Sequence, residues 1–171
     1  MIVIVGFMGA GKTTVGRMLA DRLGLPFVDS DLVIEQRARR SVRQIFAEDG
    51  EPRFRQLEHE VIADLLDGPD AVLALGGGAV SHLGTRSLLA AVSVVYLRVS
   101  YAEAVDRVGS DTDRPMLARA DVPALHEQRQ AVYESVATII VDTDARTPDD
   151  IALDIAAHAP LCGPISRTLD T

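Results

Sequence analysis

At 171 residues and 18.4 kDa, with 47% hydrophobic and 25% charged residues, the chain has the size and composition of one soluble domain with a proper core. A net charge of -8 excludes a general binder of nucleic acid or of acidic membranes, and no apolar run approaches the ~18 residues of a membrane span. Cys162 is the only cysteine, which excludes an intramolecular disulfide, and the opening "MIVIVG" carries no charged leader, so a cytoplasmic protein is expected.

"MIVIV" (1–5) is a continuous apolar run, as in a strand buried on both faces. After a glycine-rich turn, "TTVGRMLADRLG" places Val15, Met18, Leu19 and Leu23 at helical spacing and stops at Gly24. "LPFVD" is a second strand, and two carboxylates, Asp29 and Asp31, stand at its end. Ser41 and Gln44 form a capping box, and "EPRFRQLEHEVIADLL" reads as a long amphipathic helix. "AVLAL" is a third buried strand, ending in Gly76, Gly77 and Gly78. "SVVYL" is a fourth, followed by a second capping box from Ser100 and Glu103. Residues 109–121 are polar and lack periodicity. "TIIV" is a fifth strand, and Thr147-Pro148 sets an N-cap and proline at the first helical position. The domain is expected to span 1–158, with 159–171 a loosely ordered tail. Strands alternating with helices imply an α/β fold with a parallel sheet covered on both faces and ligands at the strands' carboxyl ends.

"GFMGAGKT", Gly6 to Thr13, fits the phosphate-loop pattern G-x-x-x-x-G-K-[ST] between a strand and a helix. Its backbone N–H groups, from Gly9, Ala10, Gly11, Lys12, Thr13 and Thr14, can curl around an anion at a helix N-terminus. Lys12 adds a mobile charge for the outer phosphates, and the Thr13 hydroxyl can ligate Mg²⁺. Lys12 is also the chain's single lysine among 17 basic residues, so no N-K-x-D guanine motif exists and ATP is favoured over GTP. Beside phosphate, Asp29 and Asp31 repel unless one faces a cation or a hydroxyl. A plainer reading has Asp31 capping the helix "LVIEQRARR". Three adjacent glycines, each costing about 0.5–1 kcal/mol, suggest a close backbone approach at Gly76–Gly78.

The cradle, "DSD", "GEPRFR", "GGG" and "RP" within a polar loop follow one another in fixed order over residues 6–146. This combination resembles shikimate kinase, a small P-loop kinase of the nucleoside-monophosphate-kinase-like type. The resemblance implies a three-layer fold with five parallel strands in the order 2-3-1-4-5 and a mobile lid at about 109–121. It implies transfer of the γ-phosphate of ATP to the 3-hydroxyl of shikimate, in the chorismate route to aromatic amino acids. Asp29 then supports Mg²⁺, while Asp31 receives substrate hydroxyls and is the candidate base. Arg55 and Arg129 grip the carboxylate in a bidentate manner that lysine could not reproduce. Gly77, between Gly76 and Gly78, presents an N–H to the substrate. Arg114 swings from the lid over the phosphates, and Arg107 and Arg146 flank adenine. Glu58, three residues after Arg55, is placed to orient it. The resemblance further implies a monomer acting on a small molecule, with no nucleic-acid or membrane partner. Three other readings compete: a kinase for another polyhydroxy acid such as gluconate, a nucleotide-binding regulatory module without turnover, and a nucleoside monophosphate kinase, in which Asp31 would repel the second phosphate. The four histidines show no metal-ligand spacing and are expected at the surface.

Overall fold

Val3, Ile4, Val72, Val94 and Val95 have no exposed surface, which explains why the first, third and fourth strands read as unbroken apolar runs. The computed structural model describes residues 1–109 and 122–158; Arg114, the rest of the expected lid from residue 110 and the tail lie outside them. Five parallel strands, β1 (Ile2–Val5), β2 (Phe27–Asp29), β3 (Val72–Ala74), β4 (Ser93–Arg98) and β5 (Ile139–Asp142), form one sheet in the order β2-β3-β1-β4-β5. Register places Asp29 opposite Ala74 and Ala74 opposite Ile4. The DSD, GGG and cradle segments therefore leave the sheet side by side, on strands about 4.8 Å apart.

Helix α1 (Lys12–Leu23) follows the cradle and ends at Gly24, whose φ of 64° closes the last turn. Helix α2 (Ser30–Ala38) begins directly from β2. Its cap is Asp29, whose side chain accepts from the Asp31 N–H. The capping alternative thus falls on Asp29, and the Asp31 side chain is left for other work. Helix α3 (Val42–Leu66) has the full Ser41/Gln44 capping box at its start and a break at Gly50, with φ 79° and ψ 168°. Pro52 sits just past the break, in the first turn of a new segment, where its missing N–H is not needed.

Helix α4 (Leu83–Leu89) has no counterpart in the sequence reading; it is short, and its cap is His82, an unusual residue there, whose Nδ1 accepts from Thr85 N–H at 3.4 Å. Helix α5 (Tyr101–Val108) is capped by Ser100, but Glu103 turns to Arg107 instead of closing the box. Helix α6 (Val122–Val136) follows, and α7 (Pro148–His158) starts at Thr147, whose Oγ1 accepts from Asp150 N–H.

The main core lies on both faces of the sheet, and a second, smaller one joins α2 to α3 through Ile34, Ile45, Phe54 and Val61. Phe46 and Phe54 meet there with ring centroids 4.4 Å apart. Contrary to the surface expectation, His126 is buried: its Nε2 lies 2.9 Å from the Val99 carbonyl and its ring packs edge-on against Phe7. Its apolar faces suit a core, provided one nitrogen finds a partner.

Candidate active site

The cradle is shaped by backbone. Gly9 has φ 79°, and a Cβ there would stand 2.7 Å from the Ala104 carbonyl, so α5 closes over the loop only because the side chain is absent. Gly11 ends the loop in the left-handed region and hands over to α1, whose N-terminal N–H groups face the loop. Lys12 Nζ donates to the Gly6 and Phe7 carbonyls at 2.8 and 3.1 Å. Thr13 Oγ1 donates to Asp29 Oδ2 at 3.2 Å. A hydroxyl and a carboxylate oxygen side by side are hard ligands that suit Mg²⁺. That ion holds few protein ligands and leaves its other positions to water and phosphate. Among the described residues no group of three or more His, Cys, Asp or Glu could hold a metal.

Next to the cradle lies a pocket made of side chains. Gly77 packs near the Gly6 carbonyl and the Met8 N–H, at 3.6 and 3.8 Å from its notional Cβ, so the triple-glycine turn touches the cradle. A Cβ on Gly76 would sit 2.6 Å from Asp31 Oδ1 and 2.8 Å from Glu58 Oε1, and one on Gly78 would sit 2.1 Å from Arg55 Nη2. The glycines admit a carboxylate from α2 and a guanidinium with its carboxylate from α3. Arg55 Nη1 donates to Glu58 Oε2 at 2.6 Å, while Glu51 takes Nε and Nη2 at 3.2 and 3.1 Å. The arginine stands over Phe54 and Phe46, 5.2 and 5.7 Å from their centroids, so the small core is its platform. Arg129, from α6, lies 5.9 Å over the Phe7 ring, at the base of the cradle.

Among the described residues, two buried oxygens in this pocket, Asp31 Oδ1 and Glu58 Oε1, have no hydrogen-bond donor, and the guanidinium nitrogen Arg129 Nε finds no acceptor. Burial, and then the neighbouring Asp29, raise the Asp31 carboxyl above its ordinary value against the pull of Lys12 and Arg55. Burial pushes Glu58 up to about 7 in spite of Arg55, with Asp31 adding to the rise and Arg129 opposing it. Buried polar atoms without partners are costly. Two acceptors and a cationic donor clustered this way suit a ligand with hydroxyl groups and an acid.

Of the residues singled out from the sequence, Lys12, Thr13, Asp29, Asp31, Arg55, Gly76, Gly77, Gly78 and Arg129 come together. Arg107 and Arg146 take other partners. Arg107 ties Gly9 O to Thr143, donating to its carbonyl at 2.7 Å and its hydroxyl at 3.1 Å. Arg146 reaches Asp154 at 2.6 Å. Sequence reasoning missed Ser30, fully buried inside "DSD", whose Oγ accepts from Gly76 N–H at 3.1 Å. It also missed Tyr133, whose hydroxyl donates to the Gly77 carbonyl at 2.5 Å. Tyr133 follows Arg129 by four residues and so shares its helix face, the one signal that could have exposed it.

A phosphate loop opening a helix at the centre of a parallel sheet, beside a pocket for a hydroxy acid, defines a P-loop small-molecule kinase. The family model described as shikimate kinase matches residues 8–159. A shikimate kinase of Thermobifida fusca is 49% identical over 166 residues, covering 95% of this chain and 96% of that one. The structure of shikimate kinase from Acinetobacter baumannii in complex with shikimate superposes with a TM-score of 0.84 at 36% identity, over 90% of this chain and 89% of that one. The chain belongs to the shikimate kinase family, and it is an ATP-dependent kinase. A gluconokinase from Sinorhizobium meliloti, at 18% identity and a TM-score of 0.59 over 91% of this chain and 89% of that one, shares the fold alone. Among the described residues no helix is long and apolar enough to cross a membrane.

Proposed function

We propose that this enzyme transfers the γ-phosphate of ATP to the 3-hydroxyl of shikimate, giving shikimate 3-phosphate and ADP. The observation that carries the reading is the meeting of Lys12 and its cradle with Asp31, Arg55 and the triple glycine in one cleft, with Asp31 Oδ1 and Glu58 Oε1 both lacking donors among the described residues. Arg55 and Arg129 take the acid's carboxylate, and Asp31 accepts from its hydroxyls, so the attacking oxygen faces the cradle. That oxygen bonds to the γ-phosphorus as the bond to the bridging oxygen of ADP breaks, and the hydroxyl proton passes to Asp31. A loose phosphoryl transition state asks little of a base, so positioning by Asp31 comes first and proton acceptance second. Lys12 and the loop amides from Gly9 to Thr14 stabilise the charge on the transferring group.

Thr13 and Asp29 would hold Mg²⁺, which neutralises phosphate charge when bound. Arg114, which lies outside the described residues, acts on the phosphates in this reading, and Arg107 and Arg146 flank the adenine. The protein works as a cytoplasmic monomer. An ADP-release assay with shikimate and gluconate, on wild type and Arg55→Ala, tests the reading. Turnover of shikimate alone, lost with the arginine, supports it; equal use of both acids, or indifference to the substitution, refutes it.

A further inference from the structure

Tyr133 belongs to none of the roles above, yet it touches the pocket's most constrained backbone. Its side chain is 1% exposed, and its ring lies against Tyr96 with centroids 5.0 Å apart. Its hydroxyl donates to Gly77 O, and the Arg129 guanidinium lies close enough to act on the same phenol oxygen. Burial pushes the phenol well above its ordinary value, so it remains a donor at any working pH. Among the described residues no peptide bond is cis. In a trans peptide the carbonyl and the following N–H point to opposite sides, so holding Gly77 O also sets the direction of Gly78 N–H. On the other flank of the turn, Ser30 Oγ holds Gly76 N–H, while neither Gly77 nor Gly78 N–H has an acceptor among the described residues. Gly78 is also the residue pressed against the Arg55 guanidinium.

We propose that Tyr133 is a positioning residue for acid recognition: its hydroxyl fixes the Gly77–Gly78 peptide, aligning a backbone N–H with the Arg55 and Arg129 guanidiniums on one carboxylate. The proposal rests on the reading of those arginines as the acid clamp. It differs from plain satisfaction of a buried phenol, which would affect folding and leave substrate recognition untouched. Tyr133→Phe keeps the ring pair and removes the anchor. Tyr96→Phe removes a hydroxyl from the same pair without touching the glycine turn.

The test compares wild type, both variants and Arg55→Ala by steady-state kinetics with shikimate and ATP, by melting temperature, and by the backbone amide NMR signal of Gly78 in the ligand-free protein. Tyr133→Phe is expected to raise the shikimate KM about tenfold or more, with the ATP KM within about twofold, because small misplacements of binding groups cost that much. Its Gly78 signal should shift or broaden, and that of Tyr96→Phe should not. A shikimate KM within about twofold of wild type, or equal rises in both KM values, overturns the proposal. If Arg55→Ala loses acid affinity and Tyr133→Phe does not, the proposal fails while the clamp stands. If wild type ignores shikimate, the functional reading has failed, and the amide signal alone decides: a moved Gly78 supports the anchor and an unmoved one overturns it.

Discussion

The cradle and the acid pocket are neighbours built on opposite plans. The cradle is one continuous segment, Gly6 to Thr14, in which backbone N–H groups do the binding and the glycines make room for it. The pocket draws Asp31 from α2, Arg55 and Glu58 from α3, glycines from the turn after β3, and Arg129 and Tyr133 from α6. Backbone binding tolerates any triphosphate of the right charge, whereas charged side chains on separate elements can discriminate one acid from another. The contrast teaches that the two functions can be damaged separately, since the two regions meet along a narrow seam, where Gly77 approaches Gly6 and Met8 and Arg129 stands over Phe7.

Asp31 lies on that border, and its loss should have the largest effect. Asp31→Asn keeps the shape and should lower kcat about 10²–10⁴-fold, measured by ADP release at saturating substrates. Less than about tenfold would remove Asp31 from both proposed roles. Arg55→Ala acts on the pocket alone. It deletes one partner of a buried charge pair and leaves Glu58, at 1% side-chain exposure, without its cation. Such truncations cost about 2–5 kcal/mol, or roughly thirtyfold or more in the acid's KM. The ATP KM should not follow it; if it does, the two regions are not separable.

A pair of glycine substitutions makes the separation symmetrical. Gly78→Ala places a methyl where Arg55 Nη2 lies, and the flexible guanidinium must retreat, so the acid KM should rise about tenfold with ATP binding intact. Gly9→Ala meets the rigid Ala104 carbonyl at a φ of 79° and should weaken ATP binding first. Titration calorimetry with each substrate reads both variants, and a crossed pattern would contradict the division.

The same division governs what could be read from the sequence. The strands and the cradle were legible because each rests on local pattern: unbroken apolar runs, a glycine turn, a lysine at a fixed place; the order of the strands came from the resemblance to the family. Asp31, Arg55 and Arg129 were reached through the fixed order of motifs along the chain, and register explains why that order works, since Asp29, Ala74 and Ile4 stand level in the sheet. Tyr133 and Ser30 escaped because their partners, Gly77 and Gly76, are 56 and 46 residues away and are backbone atoms. Nothing in a tyrosine on a helix announces which distant carbonyl it will hold. His126 escaped for a similar reason, its partner being the Val99 carbonyl.

The smallest expected effect concerns Glu58, which is buried and, among the described residues, has one oxygen paired. Its carboxyl is raised to about 7 from the ordinary 4.5, chiefly by burial, so folding favours the protonated form. The stability it contributes is complete below the unfolded value and is lost as pH rises through the folded one. Glu58→Gln removes this titration while Arg55 stays charged throughout. The melting temperature of the variant relative to wild type should therefore climb as pH rises from about 4.5 to about 7, and level off above. Asp31, also raised, adds to the rise of Glu58, so its own equilibrium shifts with the substitution, and the same comparison in an Asp31→Asn background isolates the Glu58 part. A flat difference across that range would mean that Arg55 holds Glu58 ionised throughout, and that the pocket's second acceptor carries a full charge before any acid arrives.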